Sequence, residues 1–162
     1  MARTDPTRLV FVDECGTHTS MTRRRARAAL LAGVSLAGMS PAMTVEGGTD
    51  TAVFATYLER VLLPGLHPGQ VVVVDNVGAH QPDRIRALVA AAGCELVFLP
   101  AYSPDLSPVE EAFSKLKSLI KAAGARTRAA LDAAIAAALD AVSPADATGW
   151  FAHAGYFTPQ AA

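Results

Sequence analysis

Residues 71–76 read VVVVDN, and this stretch decides the class of fold. Four consecutive valines, with no alternation between apolar and polar positions, predict a strand that is buried on both faces of a sheet. A second apolar run, LVFVDE at residues 9–14, also ends in a valine followed by an aspartate. Each run therefore predicts a sheet strand with an aspartate, Asp75 or Asp13, at its carboxyl end.

The regions around these two strands predict a series of further helices and strands. Apolar spacing predicts strands over 8–14, 70–75 and 94–99, a hairpin over 29–37 and 42–46, and helices over 49–62, 82–92, 108–122 and 128–142. A strand, a helix ended by Gly93 and a further strand, in that order, indicate a parallel crossover. The tail, residues 150–157, is aromatic, and we expect it to dock on the core. The class of fold is therefore α/β.

Length and charge limit the organisation of the chain. With 162 residues, 51% of them hydrophobic, it is long enough for one sizeable core and too short for two ordinary domains. A formal net charge of -1 excludes a global positive field that would draw the chain to nucleic acid. Two local basic sets are present: Arg23, Arg24, Arg25 and Arg27, and Lys115, Lys117, Lys121, Arg126 and Arg128. Charge alone is equally typical of phosphate contact and of a solvated basic surface.

Cysteine usage and hydropathy indicate the compartment. Only Cys15 and Cys94 are present and no CxxC pair occurs, so a disulfide framework is not expected. Asp5 and Pro6 lie where a signal peptide would need its apolar core, and no run approaches the roughly 20 apolar residues of a membrane span. We expect a cytoplasmic protein that makes no use of a membrane.

A third carboxylate follows a proline-rich loop, YSPDLSPVEE at residues 102–111. Glu110 comes 34 residues after Asp75, near the start of a predicted helix. Two roles are open for it. Ser107, Pro108 and Glu110 fit a capping box, in which Glu110 accepts from the Ser107 amide. The same position places its carboxylate at the positive end of the helix dipole, which favours the ionised form of a metal ligand. Asp13 and Asp75, taken singly, are also typical of turns.

Together, the three carboxylates predict a metal site, because the carboxyl ends of neighbouring strands meet at one edge of a sheet. Without a cation, Asp13, Asp75 and Glu110 would repel one another. Hard oxygen ligands without a His or Cys cluster select Mg²⁺ or Mn²⁺. Two such ions about 3.5–4 Å apart suit hydrolysis or transfer of a phosphodiester. His80 is either a surface residue at the start of a helix or a contact to phosphate.

Three stretches, VFVDE, VVVVDNVGAH and LPAYSPDLSPVEEAFSKLK, together resemble the catalytic domain of DDE transposases, specifically bacterial insertion-sequence enzymes related to the Tc/mariner group. The resemblance implies an RNase H-like fold, with a mixed five-stranded sheet flanked by helices. It also implies that Asp13, Asp75 and Glu110 form the catalytic and metal-binding triad. The implied reaction is Mg²⁺-dependent cleavage at transposon ends, followed by transfer of the freed 3′-hydroxyl to target DNA. A homodimer on DNA, in a bacterial cytoplasm and nucleoid-associated when DNA-bound, is implied as well.

Two features depart from these relatives. They usually carry an N-terminal helix-turn-helix region, whereas this chain starts a few residues before the first catalytic strand, so we expect residues 1–162 to be the catalytic domain alone. A separate DNA-binding subunit is then a possible partner. Relatives also place a longer basic stretch between Arg27 and Leu30. These departures leave two alternatives: a catalytically inactive, internally deleted transposase remnant, or another RNase H-like nuclease.

Overall fold

The computed structural model describes residues 5–18, 27–47, 49–75, 82–100 and 103–157. Six strands are present in these ranges: β1 (Leu9–His18), β2 (Arg27–Ser35), β3 (Gly38–Met39), β4 (Met43–Glu46), β5 (Val71–Asp75) and β6 (Glu95–Leu99). Five α-helices accompany them: α1 (Thr51–Tyr57), α2 (Pro82–Ala91), α3 (Pro108–Ala123), α4 (Arg128–Asp140) and α5 (Pro144–His153). No helix within these ranges is both long enough and apolar enough to span a bilayer.

The strands form one mixed sheet in the order β3-β2-β1-β5-β6, with β4 also paired to β2. β1 runs antiparallel to β2 and parallel to β5, and β5 runs parallel to β6. The parallel crossover through α2 is thus confirmed. Six strands occur where five were expected because one edge position is divided: β3 pairs with the end of β2, and β4 pairs with its start. Pro41, which has no N–H to donate, lies between the two pieces.

The hairpin between β1 and β2 is longer than the sequence predicts. β1 was expected to end near residue 14 but continues to His18, whose backbone pairs with that of Arg27 at the start of β2. His18 therefore lies at the end of a strand and not in a loop. Antiparallel pairing extends these strands beyond their apolar runs, because the ladder hydrogen bonds join backbone groups whatever the side chains are. The side chains of His18 and Arg27 lie outside the described part of the structure.

The sheet separates two hydrophobic layers. Val71 and Val73 face a core formed with α3, α4 and α5, while Val72 and Val74 face a second core formed with α1 and α2. All four side chains are at most 2% exposed. Burial on both faces, predicted from the valine run, is confirmed, and β5 is an inner strand beside the middle strand, β1.

Most predicted helices are found within two residues of their predicted bounds. The first helix, α1, starts later than predicted. Asp50 rather than Thr49 is the N-cap of α1, because its carboxylate accepts from the Val53 amide at 2.8 Å. The helix then widens into a π-helical segment, Leu58–Leu62, and closes with a tighter 3₁₀ turn, Leu63–Gly65. The predicted end of the helix at residue 62 is confirmed.

Helix α5 was not predicted from the sequence, which suggested only an aromatic tail. Its segment, PADATGWFAH, has little apolar periodicity, and the helix instead starts from a capping box between Ser143 and Asp146. The tail does dock, as expected: Phe151 and Tyr156 are buried in the α3 side of the core. Phe157, by contrast, is 71% exposed.

Candidate active site

The parallel pairing of β1 and β5 places two aspartates next to each other. Val12 pairs with Val74, so Asp13 and Asp75 follow at neighbouring positions of adjacent strands. Asp13 has the same orientation as Phe11 and Cys15, which face α3, because strand residues alternate between faces. The Asp13 Oδ1 atom accepts from the Glu14 amide at 2.8 Å. Both aspartates are partly buried, as expected at the edge of a core.

Helix α3 brings the third carboxylate to the same edge. The helix buries Val109, Phe113 and Leu116 in the core that β1 and β2 also line. Ser107 is its N-cap but makes no side-chain cap hydrogen bond, and the Ser107 amide donates to the Pro104 carbonyl at 3.1 Å. The expected capping box is therefore not formed, because the donor that Glu110 would have satisfied is already paired. The Glu110 carboxylate, which is exposed in the first turn of α3, therefore does not act as a cap.

Asp13, Asp75 and Glu110 meet as the sequence predicts. One carboxylate oxygen from each residue lies within 4.8 Å of the other two. Three oxygens at this separation can share one or more divalent cations, and they would repel one another if all were ionised without one. Glu14 is exposed and lies on the opposite side of β1 by strand alternation, and Asp105 lies in a 3₁₀ turn, so neither joins the cluster.

Within the cluster, Asp13 has a raised pKa. Burial raises the pKa of this carboxyl to about 7 and is the largest cause of the shift. The hydrogen bond from the Glu14 amide opposes it as the next largest, while the charges of Asp75 and Glu110 and a side-chain hydrogen bond with Asp75 add smaller increases. The site thus holds a proton near neutral pH that a bound cation would replace.

We expect the free energy of unfolding of the metal-free protein to fall as the pH rises. Between the ordinary pKa of 3.8 and about 7, the folded protein keeps a proton on Asp13 that the unfolded chain has released, so stability is lost across this window. Asp13→Asn should remove this part of the slope, and Glu14→Gln should retain it. Urea denaturation in EDTA across the window measures the effect. Equal slopes in wild type and Asp13→Asn would contradict it.

A cavity of about 250 Å³ opens beside Glu110, between the 3₁₀ turn Pro104–Leu106 and the end of α5. Glu111 and His153 form a hydrogen bond at its wall, between Oε1 and Nδ1. Glu111 lies outside the carboxylate cluster and lines this adjacent space. Neither His153 nor the cavity could be foreseen, because the two walls are separated by most of α3, α4 and α5.

Several predicted contact residues lie outside the described ranges. These are Arg23, Arg24, Arg25 and His80. Of Arg27 only the backbone, at the start of β2, is described. In the second basic set, Lys115 pairs with Asp146 at 2.5 Å, and Arg128 pairs with Asp132 and Glu46. Lys117 and Lys121 are exposed and, within the described residues, take part in no ion pair.

Comparison with known proteins places these features in a family. The family model described as DDE superfamily endonuclease matches residues 14–132. No protein of curated function matches the chain in sequence.

Solved structures of similar fold are also found. The catalytic domain of Mos1 mariner transposase superposes with a TM-score of 0.73 at 16% identity, covering 91% of this chain and 76% of that one. The same domain with raltegravir and Mn gives a TM-score of 0.76 at 17% identity, covering 95% and 80%. The Mos1 strand transfer complex gives 0.71 at 15% identity, covering 92% of this chain but 51% of the other. These similarities confirm the predicted RNase H-like fold.

Proposed function

We propose a function for this chain, which belongs to the DDE superfamily of endonucleases. It is the catalytic domain of a transposase, which cuts DNA strands at the ends of a mobile element and joins them to target DNA with the help of divalent metal. The observation that carries this proposal is the convergence of one oxygen from each of Asp13, Asp75 and Glu110 within 4.8 Å. The likeness to Mos1 catalytic domains supports it.

Asp13, Asp75 and Glu110 are the residues that would hold the metal. The donor set fits Mg²⁺ or Mn²⁺, because it consists of carboxylate oxygens and includes no thiolate or imidazole. The raised pKa of Asp13 fits as well, since a cation relieves the repulsion that favours protonation. When bound, a pair of such ions activates water or a 3′-hydroxyl and stabilises the leaving oxygen of a phosphodiester. The Mos1 catalytic domain has been solved with Mn, which supports a divalent cation.

The three residues have different tasks in this scheme. Asp13 and Asp75, on adjacent strands of a buried sheet, form the rigid part of the site. Glu110 reaches the site from a helix, so its distance from the aspartates depends on how the start of α3 is held. Asp13 would have to lose its proton to hold a cation, which would couple metal binding to pH.

Helix α3 also supplies a surface for the DNA strand. Glu110, Ser114, Lys117 and Lys121 recur at spacings of three or four residues, so they form one stripe along the helix. All four are exposed. Lys117 lies close enough to β1 to oppose, by its charge, the rise that burial causes in the pKa of the Cys15 thiol. The two lysines therefore extend from the carboxylates along a path that suits a phosphate backbone.

Replacing Lys117 and Lys121 together by glutamine should weaken DNA binding and its dependence on salt. The negative slope of log K against log salt concentration should become shallower by about 2, since each phosphate contact contributes roughly −0.9 to it. Binding of a fluorescent duplex at several salt concentrations measures the slope. Lys115→Gln is the matched control, because Lys115 is paired with Asp146 and should alter stability but not the slope. An unchanged slope in the double variant would exclude this surface.

Further parts of the proposal concern residues and partners. We include Arg23, Arg24, Arg25, Arg27 and His80 as DNA contacts, on the basis of their charge and of their places beside the first two carboxylate strands in the sequence. Transposition joins two ends, so a homodimer on DNA is included, with a separate DNA-binding subunit as a further partner. We assign residues 1–162 to a single catalytic domain, which two cores on one sheet support, in a bacterial cytoplasm.

The proposal is tested by incubating the purified chain with supercoiled plasmid or with an RNA–DNA hybrid, in Mg²⁺, Mn²⁺ or EDTA. We expect nicking of the plasmid in either metal and none in EDTA. Cleavage of the hybrid in preference to the plasmid would indicate another RNase H-like nuclease. Absence of both cleavage and thermal stabilisation by metal would indicate an inactive remnant, since a ligand that binds only the folded state must stabilise it.

A further inference from the structure

The segment that leads into Glu110 is held from the far end of the chain. The hydroxyl of Tyr156 donates to the carbonyl of Leu106 at 2.8 Å, across 50 positions in sequence. Leu106 closes the 3₁₀ turn Pro104–Leu106 and immediately precedes Ser107, the N-cap of α3. The bond therefore fixes the backbone four residues before the catalytic glutamate.

The backbone hydrogen bonds that close this turn are local. Pro104 and Pro108 have no N–H, so the stretch from the turn to the start of α3 lacks two backbone donors. Ser107 gives no side-chain cap to α3. The bonds from Leu106 to Ser103 and from Ser107 to Pro104 fix the turn only relative to itself. Leu106 also packs, partly buried, against the core, and the Tyr156 bond adds a directional contact from a different part of the chain.

Tyr156 is itself attached to the strand that carries Asp13. Its ring lies 5.1 Å from the ring of Phe11, and Phe11 contacts Phe151 edge to face at 5.3 Å. Tyr156 is 8% exposed, and its amide donates to the Phe151 carbonyl at 2.8 Å. Phe11 precedes Asp13 by two residues and faces the same side of β1. One aromatic cluster thus connects the first carboxylate to the backbone before the third.

The nearby pair of Glu111 and His153 is a weaker attachment. It joins α3 to the end of α5, but the His153 side chain is 80% exposed. Exposed polar pairs contribute little to holding a structure, because water competes for both partners. Tyr156 is therefore the better anchor of the two.

We propose that Tyr156 is a positioning residue of the active site, whose hydroxyl sets the distance of Glu110 from Asp13 by holding the Leu106 carbonyl. Of the effects expected from the loss of this hydrogen bond, only those on metal affinity and on nicking activity rest on the function proposed above. The effect on the backbone of the turn and of the first turn of α3 is independent of that function.

The test compares Tyr156→Phe with Tyr57→Phe. Tyr57 is a matched control, because its buried hydroxyl also donates to a loop carbonyl, that of Pro41 at 2.9 Å, in the core on the opposite face of the sheet. Both substitutions keep the ring and so preserve packing. Amide hydrogen exchange over residues 103–113, Mn²⁺ affinity by calorimetry, and plasmid nicking are measured for both variants and wild type.

Tyr156→Phe should speed exchange in residues 103–113 and weaken Mn²⁺ binding roughly three- to tenfold, the range expected for one hydrogen bond. The nicking rate should fall with it at saturating DNA, and a higher Mn²⁺ concentration should restore part of the rate. Tyr57→Phe should change none of these. If Tyr156→Phe exchanges like wild type over residues 103–113, the inference is wrong. If wild type itself binds no Mn²⁺, the proposed function fails, and the exchange comparison alone still decides the role of Tyr156.

Discussion

Asp75→Asn is expected to abolish metal-dependent strand cleavage. The substitution removes one anionic ligand from a set of three whose oxygens lie within 4.8 Å of one another, while its size and its place at the end of β5 are retained. Metal ions contribute several kcal/mol to phosphodiester cleavage, so the nicking rate should fall by roughly a thousandfold or more. The measurement is conversion of supercoiled plasmid to open circle in Mg²⁺ and in Mn²⁺.

A second readout separates loss of metal from loss of fold. Thermal stabilisation by Mn²⁺ should disappear in Asp75→Asn, while melting in EDTA remains a single cooperative transition. Asp83→Asn is the control, because it makes the same chemical change at an exposed carboxylate that lies at the start of α2, outside the cluster. Cleavage that survives Asp75→Asn, or that proceeds in EDTA, would rule out the carboxylate triad as the catalytic site.

Phe151→Ala is expected to have the largest effect on stability. The Phe151 ring is fully buried between α5 and the sheet and contacts the rings of Phe11 and Tyr156. Truncation of such a side chain costs about 3–5 kcal/mol, which is a large part of the total stability of an ordinary domain. Urea denaturation followed by circular dichroism gives the difference in the free energy of unfolding.

The neighbouring residue Phe157 provides the control for this prediction. Its side chain is 71% exposed, so Phe157→Ala should change the free energy of unfolding by no more than about 0.5 kcal/mol. A similar, small effect of both substitutions would mean that α5 is not part of the cooperative core. Because Phe151 supports Tyr156, a destabilised Phe151→Ala protein should also bind Mn²⁺ more weakly.

The sequence allowed the parts of the fold that depend on local pattern to be predicted. The valine run of β5 and the apolar run of β1 specify buried strands, and the proline and glycine signals end the helices where expected. The arrangement of Asp13 and Asp75 followed from the rule that parallel strands present their carboxyl ends at one edge. Helix α5 could not be predicted in this way, because its alanine, glycine and threonine residues carry no clear periodicity.

The role of Glu110 shows why local pattern is insufficient at the site. Its spacing from Ser107 and Pro108 is that of a capping box, and the pattern alone favours that interpretation. The outcome depends on the amide of Ser107, which bonds to Pro104 once the turn before it has formed. That turn is held by Tyr156, whose proximity to Leu106 is a property of the tertiary structure. The resemblance to DDE transposases favoured the metal-ligand role over capping, whereas the spacing of Glu110 from Ser107 did not.

The position of β1 in the middle of the sheet has a consequence for biosynthesis. A ribosome releases β1 to β4 first, and these strands can pair locally into an antiparallel meander that displays Asp13 alone. Asp75 joins it only when β5 has emerged, Glu110 only with α3, and the anchor Tyr156 only after α5. Domains dominated by such distant contacts fold late and slowly. A chain that has emerged only as far as β5 therefore carries two of the three carboxylates, and the cluster is complete only once α3 has packed on the sheet.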